Sequence, residues 1–459
     1  MRFVISEQDQ ELLRTISAGG AVSPAATRRL RAKVGVERAA WLLGVAAHQD
    51  RARQKFGDGC WWVTGRGCEQ STAWPVADLK ASWFGRRPVL DLCCGLGGDL
   101  MRLARRGDAW GVESDPEVAA MAAINLCQAV PVGDAGVMRG DVLRPPSSWS
   151  AVGDWWPRGS GSLLADRIGA WGTVATGLRS VGEPPAVHID PDRREEGRRT
   201  TDADHFSPAW AEVWRILRRS GDGMVKLAPA TEVESLAASE GHRVWIAWGN
   251  TVREQVLLWG ATIDRAAVRP GGCSAVILRC GESPQWFHGP PGCESPPIAN
   301  RRDQAGIGGW LVDPHAAIRA AGLTEAFGAS HGLTPIDGPA GFLAVPGPDL
   351  PSGVAALATV GRIEWVGQND DRVLRRELRR RNARPMTVKV RGVRVDPAML
   401  FHRYRRCGER PVVLWIGRKR DQTYAAITRP GGADAPPPPP VPDSPAGRRF
   451  PSTGPPPPG

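Results

Sequence analysis

The chain has 459 residues, 42% of them hydrophobic, which is too long for one ordinary domain and enough for a sizeable core. No apolar run approaches the roughly 20 residues that span a bilayer, and the opening MRFVISEQDQELLRTI is too polar for a signal peptide, so a soluble, cytoplasmic protein is expected. Nine cysteines, an odd number without a C-x-x-C pair, argue against a disulfide framework or a zinc ribbon, and no metal is expected.

The net charge is +11, and its position matters more than its size. Between Arg372 and Arg420 there are 17 Lys/Arg and 3 Asp/Glu, a net +14, which leaves −3 for everything else. A basic excess gathered in one segment points to a polyanionic partner.

In chain order, residues 1–84 carry helical periodicity, clearest in RLRAKVGVERAAWLLGVAAHQDRARQKF. From Val89, strand-like and helix-like stretches alternate, as in a parallel sheet with crossover helices. Candidate strands are Val89–Cys93, Ala109–Glu113, Ala186–Asp190 and Met224–Leu227. The pair HRVWIAW and QVLLWG follows, joined by a hairpin near Gly249-Asn250. The span from Arg144 to Pro185, rich in Trp, Gly, Ser and Pro, reads as an insertion. GESPQWFHGPPGCESPPIANRRDQ reads as a linker.

Further on, Arg372, Arg375, Arg376, Arg379 and Arg380 share one helical face opposite Leu374 and Leu378. MTVKVRGVRV alternates like a strand, and Asp396-Pro397 opens a second helix. PVVLWIG and QTYAAIT complete a small basic α/β module. From Pro436 the proline-dense tail has too few apolar side chains to build a core. The expected domains are thus a helical region 1–84, a catalytic α/β domain 85–280, a linker and connecting α/β region 281–360, the basic module 361–430 and a tail 431–459.

The turn Gly95-Leu96-Gly97-Gly98, between the first strand and a helix, is the most informative stretch. A P-loop needs Lys-Ser/Thr after its glycines, where Asp99-Leu100 stands. A dinucleotide fingerprint needs Gly or Ala where Leu100 stands, and Asp91 and Asp99 would repel a pyrophosphate. S-adenosylmethionine fits better: it lacks phosphates and carries a cationic sulfonium and an amine, which carboxylates attract and glycines admit closely. Glu113 ends the second strand, where an acid accepts ribose hydroxyls. Asp115-Pro116 caps the next helix, and Asp141 in RGDVL is placed to reach the adenine amine.

This stretch resembles the first motif of the class I S-adenosylmethionine-dependent methyltransferases. Other stretches narrow the likeness to a bacterial group with a THUMP-like C-terminal domain: KFGDGCWWVTGRGCEQSTAWPVA, HIDPDRREEGRR, VKLAPATE, EQVLLWG, WLVDPHAAIRAAGL and TVKVRGVRVDP, which with the first motif run from Lys55 to Pro397. The resemblance implies a Rossmann-like class I methyltransferase domain, an N-terminal helical region and a small basic C-terminal α/β module. It also implies structured RNA, tRNA or rRNA, as substrate.

Within HIDPDRREEGRR, Asp190-Pro191 resembles the fourth motif of these enzymes, which faces the methyl acceptor. Asp190 could take a hydrogen bond from an exocyclic amine and later its proton, or cap the turn that Pro191 stiffens. Arg193 and Arg194 suit a substrate phosphate or surface pairing with the adjacent acids. Lys226 ends a strand at the ligand edge, for substrate or for a site carboxylate. Glu254 is expected on an exposed hairpin face. Most of the 19 tryptophans read as core, with Trp155 and Trp156 left open. The leading expectation is an RNA methyltransferase gripping phosphates through Arg375, Arg376 and Arg379. A methyltransferase for small molecules or proteins, and an RNA-binding protein with an inactive fold, are the alternatives.

Overall fold

The computed structural model describes residues 4–18, 23–143, 185–192, 194–195, 198–199, 205–233, 235–290, 308–336, 341–345, 347–419 and 422–431. The insertion expected between Arg144 and Pro185, with Trp155 and Trp156, lies almost wholly outside these residues, as do Arg193 and the tail from 432. The chain divides into two units: Met1–Arg301 with Pro314–Pro335, and Arg302–Asp313 with Ile336–Gly459.

The first unit is built on a nine-stranded sheet. Its strands are β1 (Val89–Leu92), β2 (Ala109–Glu113), β3 (Ala135–Arg139), β4 (Ala186–Ile189), β5 (Gly223–Leu227), β6 (His242–Trp248), β7 (Thr251–Trp259), β8 (Cys273–Leu278) and β9 (Gln285–His288). The spatial order is β9-β8-β6-β7-β5-β4-β1-β2-β3. β1, β2, β3, β4 and β5 run parallel, and β7 is inserted antiparallel between β5 and β6. β9 is an antiparallel edge strand where composition suggested only a linker. Glycines and prolines bracket this four-residue strand, so its alternation is too short to read against them.

From β1 the chain winds outward through β2 and β3, then returns to β4 on the other side of β1. The switch point therefore lies between β1 and β4, and the crevice beyond their carboxyl ends is the ligand edge of such a sheet. β1 is buried on both faces, as expected of a central parallel strand. Val89 packs with Leu100, Leu103, Ala122 and Leu126 on one side. Leu90 and Leu92 pack with Val187, Ile189, Trp210 and Leu217 on the other.

Six helices precede the sheet: α1 (Glu7–Ala18), α2 (Pro24–Val34), α3 (Val36–Ala46), α4 (Gln49–Phe56), α5 (Gly65–Gln70) and α6 (Trp74–Ser82). Leu13, Leu42, Trp62 and Cys68 bury themselves against Leu96, Met101, Met121 and Ile124, which lie on the glycine turn and on helices α7 (Leu100–Ala104) and α8 (Pro116–Gln128). The buried Asn125 amide holds the two parts together. Its oxygen accepts the Trp62 N–H at 2.8 Å, and its nitrogen donates to the carbonyls of Trp62 and Leu96. The N-terminal helices are thus packed onto the elements that carry the turn.

The second unit holds β10 (Trp310–Pro314), β11 (Leu343–Val345), β12 (Ala358–Gln368), helix α9 (Asp371–Arg380), β13 (Ala383–Val390), helix α10 (Pro397–Tyr404), β14 (Arg410–Lys419) and β15 (Gln422–Pro430). The order β11-β10-β12-β15-β14-β13 places the parallel pair β13/β14 at one end, with α10 as its crossover. Leu374, Leu378, Leu400 and Tyr404 turn their helices onto Leu414, Ile416 and Ile427.

Candidate active site

At the end of β1 the backbone takes positive φ at alternate residues: Cys93 (61°), Gly95 (56°) and Gly97 (84°). This conformation costs an L-residue roughly 1–2 kcal/mol, so glycine is the fitting choice at two of the three positions and Cys93 bears the strain. A Cβ on Gly95 would meet nothing within 4 Å, whereas one on Gly98 would lie 3.1 Å from the Thr72 carbonyl oxygen. The turn is open on one side and pressed by the N-terminal segment on the other.

The acids singled out in the sequence converge here. Glu113 accepts the Gly95 N–H at 3.1 Å and the Asp115 N–H at 2.9 Å. Asp115 caps α8 by accepting from Glu117 and Val118, and Pro116 is its first residue. Asp141 is exposed just beyond β3 and accepts the Leu143 N–H. The Cys93 thiol marks their meeting point: burial first, then the carboxylates of Glu113, Asp190, Asp91 and Asp141, push it well up.

Two of these acids are not the open negative charges the sequence suggested. Asp91 is 1% exposed and its Oδ1 lies 2.6 Å from His188 Nδ1 on β4. Asp99 takes the Thr72 hydroxyl hydrogen at 2.6 Å and stands 2.8 Å from the ammonium of Lys80 on α6. Lys80 also lies 2.6 Å from Glu254 on β7. Glu254 is therefore not on an exposed hairpin face; it is 2% exposed and ion-paired. Burial alone would lower the Lys80 and His188 values, but Asp99 with Glu254 raises the first, and Asp91 with Asp99 raises the second. Burial pushes Asp99 up, yet Lys80, His188 and Lys226 hold it well below the usual carboxylate range. Asp91 Oδ2 and His188 Nε2 are buried without a hydrogen-bond partner among the described residues.

At the mouth, the Asp190 N–H reaches the Leu92 carbonyl, and the carboxylate Oδ2 lies 2.7 Å from Lys226 Nζ. Of the two roles open to Lys226, pairing with a site carboxylate is the one present; it also donates to the Gln70 carbonyl at 3.1 Å. Beyond the buried Pro191, Asp192 accepts from Gln70 Nε2 at 3.1 Å and pairs with Arg66. Helix α5 is thus clamped to the Asp190–Asp192 loop, a contribution from the N-terminal region that the sequence reading missed. Lys55 donates to the carbonyls of Glu69 and Ser71, and burial, then Lys226, lowers it to about 8. Of Arg194 only the backbone is described, in a two-residue strand against Arg199.

In the second unit, Arg375 is tied to Asp371 at 2.9 Å, and Arg376 lies 3.8 Å from Glu377. Arg379 is exposed and forms no ion pair among the described residues. Among the described residues there is no cluster of His, Cys, Asp and Glu fit to hold a metal, and no helix is long and apolar enough to cross a membrane.

No family model matches the chain. A Mycobacterium tuberculosis protein of strains CDC 1551 and H37Rv, named an uncharacterized S-adenosylmethionine-dependent methyltransferase, is 30% identical over 402 residues. That match covers 85% of this chain and 95% of the relative. Among solved structures, a candidate methyltransferase from Porphyromonas gingivalis W83 aligns with a TM-score of 0.69 at 16% identity, over 94% of this chain and 100% of that one. At that identity the likeness speaks for the fold. Kinship rests on the mycobacterial relative, whose match covers 85% of this chain. By that kinship the chain belongs to the S-adenosylmethionine-dependent methyltransferases, enzymes whose methyl donor is S-adenosylmethionine.

Proposed function

We propose that this enzyme is a class I methyltransferase that modifies a base in structured RNA, tRNA or rRNA, with the cofactor over the Gly95–Gly98 turn and the acceptor facing Asp190-Pro191. The observation that carries the cofactor's placement is the buried Asp91 Oδ2, without a hydrogen-bond partner among the described residues, below a turn whose Gly95 side opens onto free space. A buried acceptor left unmet is costly, so a donor group belongs there. S-adenosylmethionine, when bound, supplies an electrophilic methyl group on a cationic sulfur, and its amine is such a donor. Glu113 would hold the ribose hydroxyls, and Asp141 the adenine amine.

Methyl transfer needs chiefly alignment of the attacking atom. Lys226 occupies Asp190 Oδ2 and so fixes the carboxylate. Oδ1 is then the atom that accepts a hydrogen bond from an exocyclic amine and takes its proton after transfer. Arg66 and Gln70, on Asp192, keep this loop in place. The RNA assignment draws its support from the +14 charge of residues 372–420, in which Arg376 and Arg379 are exposed.

The test is transfer of label from radioactive cofactor into total RNA, tRNA-depleted RNA, protein extract and a small-molecule extract. Label is expected in an RNA fraction, with at least 100-fold less from Asp190→Ala, in the range typical of a lost general base. Label confined to protein or small molecules would refute the RNA assignment. A Gly95→Ala variant checks the cofactor's place. Its new methyl group meets no protein atom within 4 Å and its positive φ costs roughly 1–2 kcal/mol, so it should fold with a slightly lowered thermal midpoint and lose cofactor affinity by calorimetry well beyond that cost.

A further inference from the structure

We infer that Lys80 is a positioning residue for the cofactor turn, its buried ammonium balancing Asp99 and Glu254 so that Gly97-Gly98-Asp99 keeps the shape that receives the cofactor. The inference rests on the cofactor lying over that turn, as proposed above.

Three elements distant in sequence meet at this ammonium. Lys80 comes from α6, is 1% exposed, and touches Asp99 at 2.8 Å and Glu254 at 2.6 Å. Asp99 directly follows the turn as the N-cap of α7, and its carbonyl accepts the N–H groups of Arg102 and Leu103. Thr72 closes the arrangement: its hydroxyl donates to Asp99, and its backbone lies where a side chain on Gly98 would go. A shift of Asp99 moves Gly98 against Thr72, so the turn and the N-terminal segment are set together.

Charge decides the geometry. Lys80, Asp99 and Glu254 sum to −1. Also facing Asp99 are His188, whose Nε2 is 3.9 Å away, with Asp91 on its other nitrogen, and the Lys226 ammonium. Without Lys80, two carboxylates would share a dry site with no cation between them. One would then hold a proton near neutrality, as like charges in one site do. When that proton leaves at higher pH, repulsion displaces Asp99 and with it the turn. Lys80 thus keeps Asp99 and Glu254 both ionised in a range where the bare acid pair would titrate.

The experiment measures the cofactor dissociation constant by calorimetry from pH 6 to about 8.5 for the full-length wild type, Lys80→Arg, Lys80→Met, the double variant Lys80→Met/Glu254→Gln, and Gly95→Ala, with thermal midpoints alongside. Lys80→Arg should follow the wild type. Lys80→Met should bind roughly tenfold or more weakly at the high end and recover toward pH 6, the signature of one coupled proton. The double variant restores the −1 sum, so its affinity should return to within about threefold of wild type and follow the wild-type pH profile. A loss in Lys80→Met that is independent of pH, or that the double variant fails to restore, would overturn the inference. So would wild-type affinity throughout. If Lys80→Met does not fold, the double variant decides alone: folded and tenfold weaker, it refutes the charge argument. An unaffected Gly95→Ala would instead remove the cofactor's proposed place.

Discussion

Burial alone would keep a histidine neutral, but at His188 the flanking carboxylates of Asp91 and Asp99 reverse that tendency and raise its value above the ordinary 6.5. The folded state therefore favours the protonated ring more than the unfolded chain does. Its stabilisation is complete below about pH 6.5 and fades as pH rises through the higher folded value. His188→Gln, which keeps a hydrogen bond toward Asp91 but no charge, should cost about 3 kcal/mol or more at pH 6. The gap to wild type should narrow toward alkaline pH. Thermal midpoints of the two proteins across that range check this, and a gap of constant size would contradict it.

Helices and strands were the readable part of the molecule, because their signals are local. Asp115-Pro116 and Asp396-Pro397 announce helix starts through their own chemistry, and both do cap helices. Asp115→Ala should destabilise by about 1 kcal/mol, read as a lowered thermal midpoint. The buried cluster was not readable in the same way. Lys80, in WPVADLKASWF, looks like one more polar residue on a helix; only Asp99 and Glu254, from other elements, bury it. Glu254 was misread for a definable reason. β7 lies inside the sheet between β5 and β6 and is buried on both faces from Glu254 to Leu258, so the polar face expected for Glu254 does not exist. Helix α9 shows the two kinds of residue side by side. Leu378→Ala should cost about 3 kcal/mol, because Leu378 is fully buried. Arg379→Ala should leave stability within about 0.5 kcal/mol of wild type while weakening RNA binding.

Over the whole chain, charge is divided by kind of use. In the first unit, cations near the candidate site are buried or spent on partners: Lys80 on Asp99 and Glu254, Lys226 on Asp190, Arg66 on Asp192. In the basic segment, acids are too few to do the same. Arg372, Arg379, Arg394 and Arg406 are exposed and form neither an ion pair nor a side-chain hydrogen bond among the described residues. On the proposed RNA reading, salt should therefore separate RNA binding from cofactor binding. Buried pairs are poorly screened, so cofactor affinity should change less than about twofold between 50 and 300 mM salt. Phosphate contacts release counterions, and four exposed arginines at about 0.7 each predict a slope near −3 in log affinity for RNA against log salt concentration. Changing Arg372 and Arg379 together to alanine should flatten that slope by about 1.4 and leave the cofactor constant unmoved. Filter binding of labelled tRNA beside calorimetry of the cofactor gives both numbers. An RNA affinity indifferent to salt would mean that these arginines do not meet phosphates.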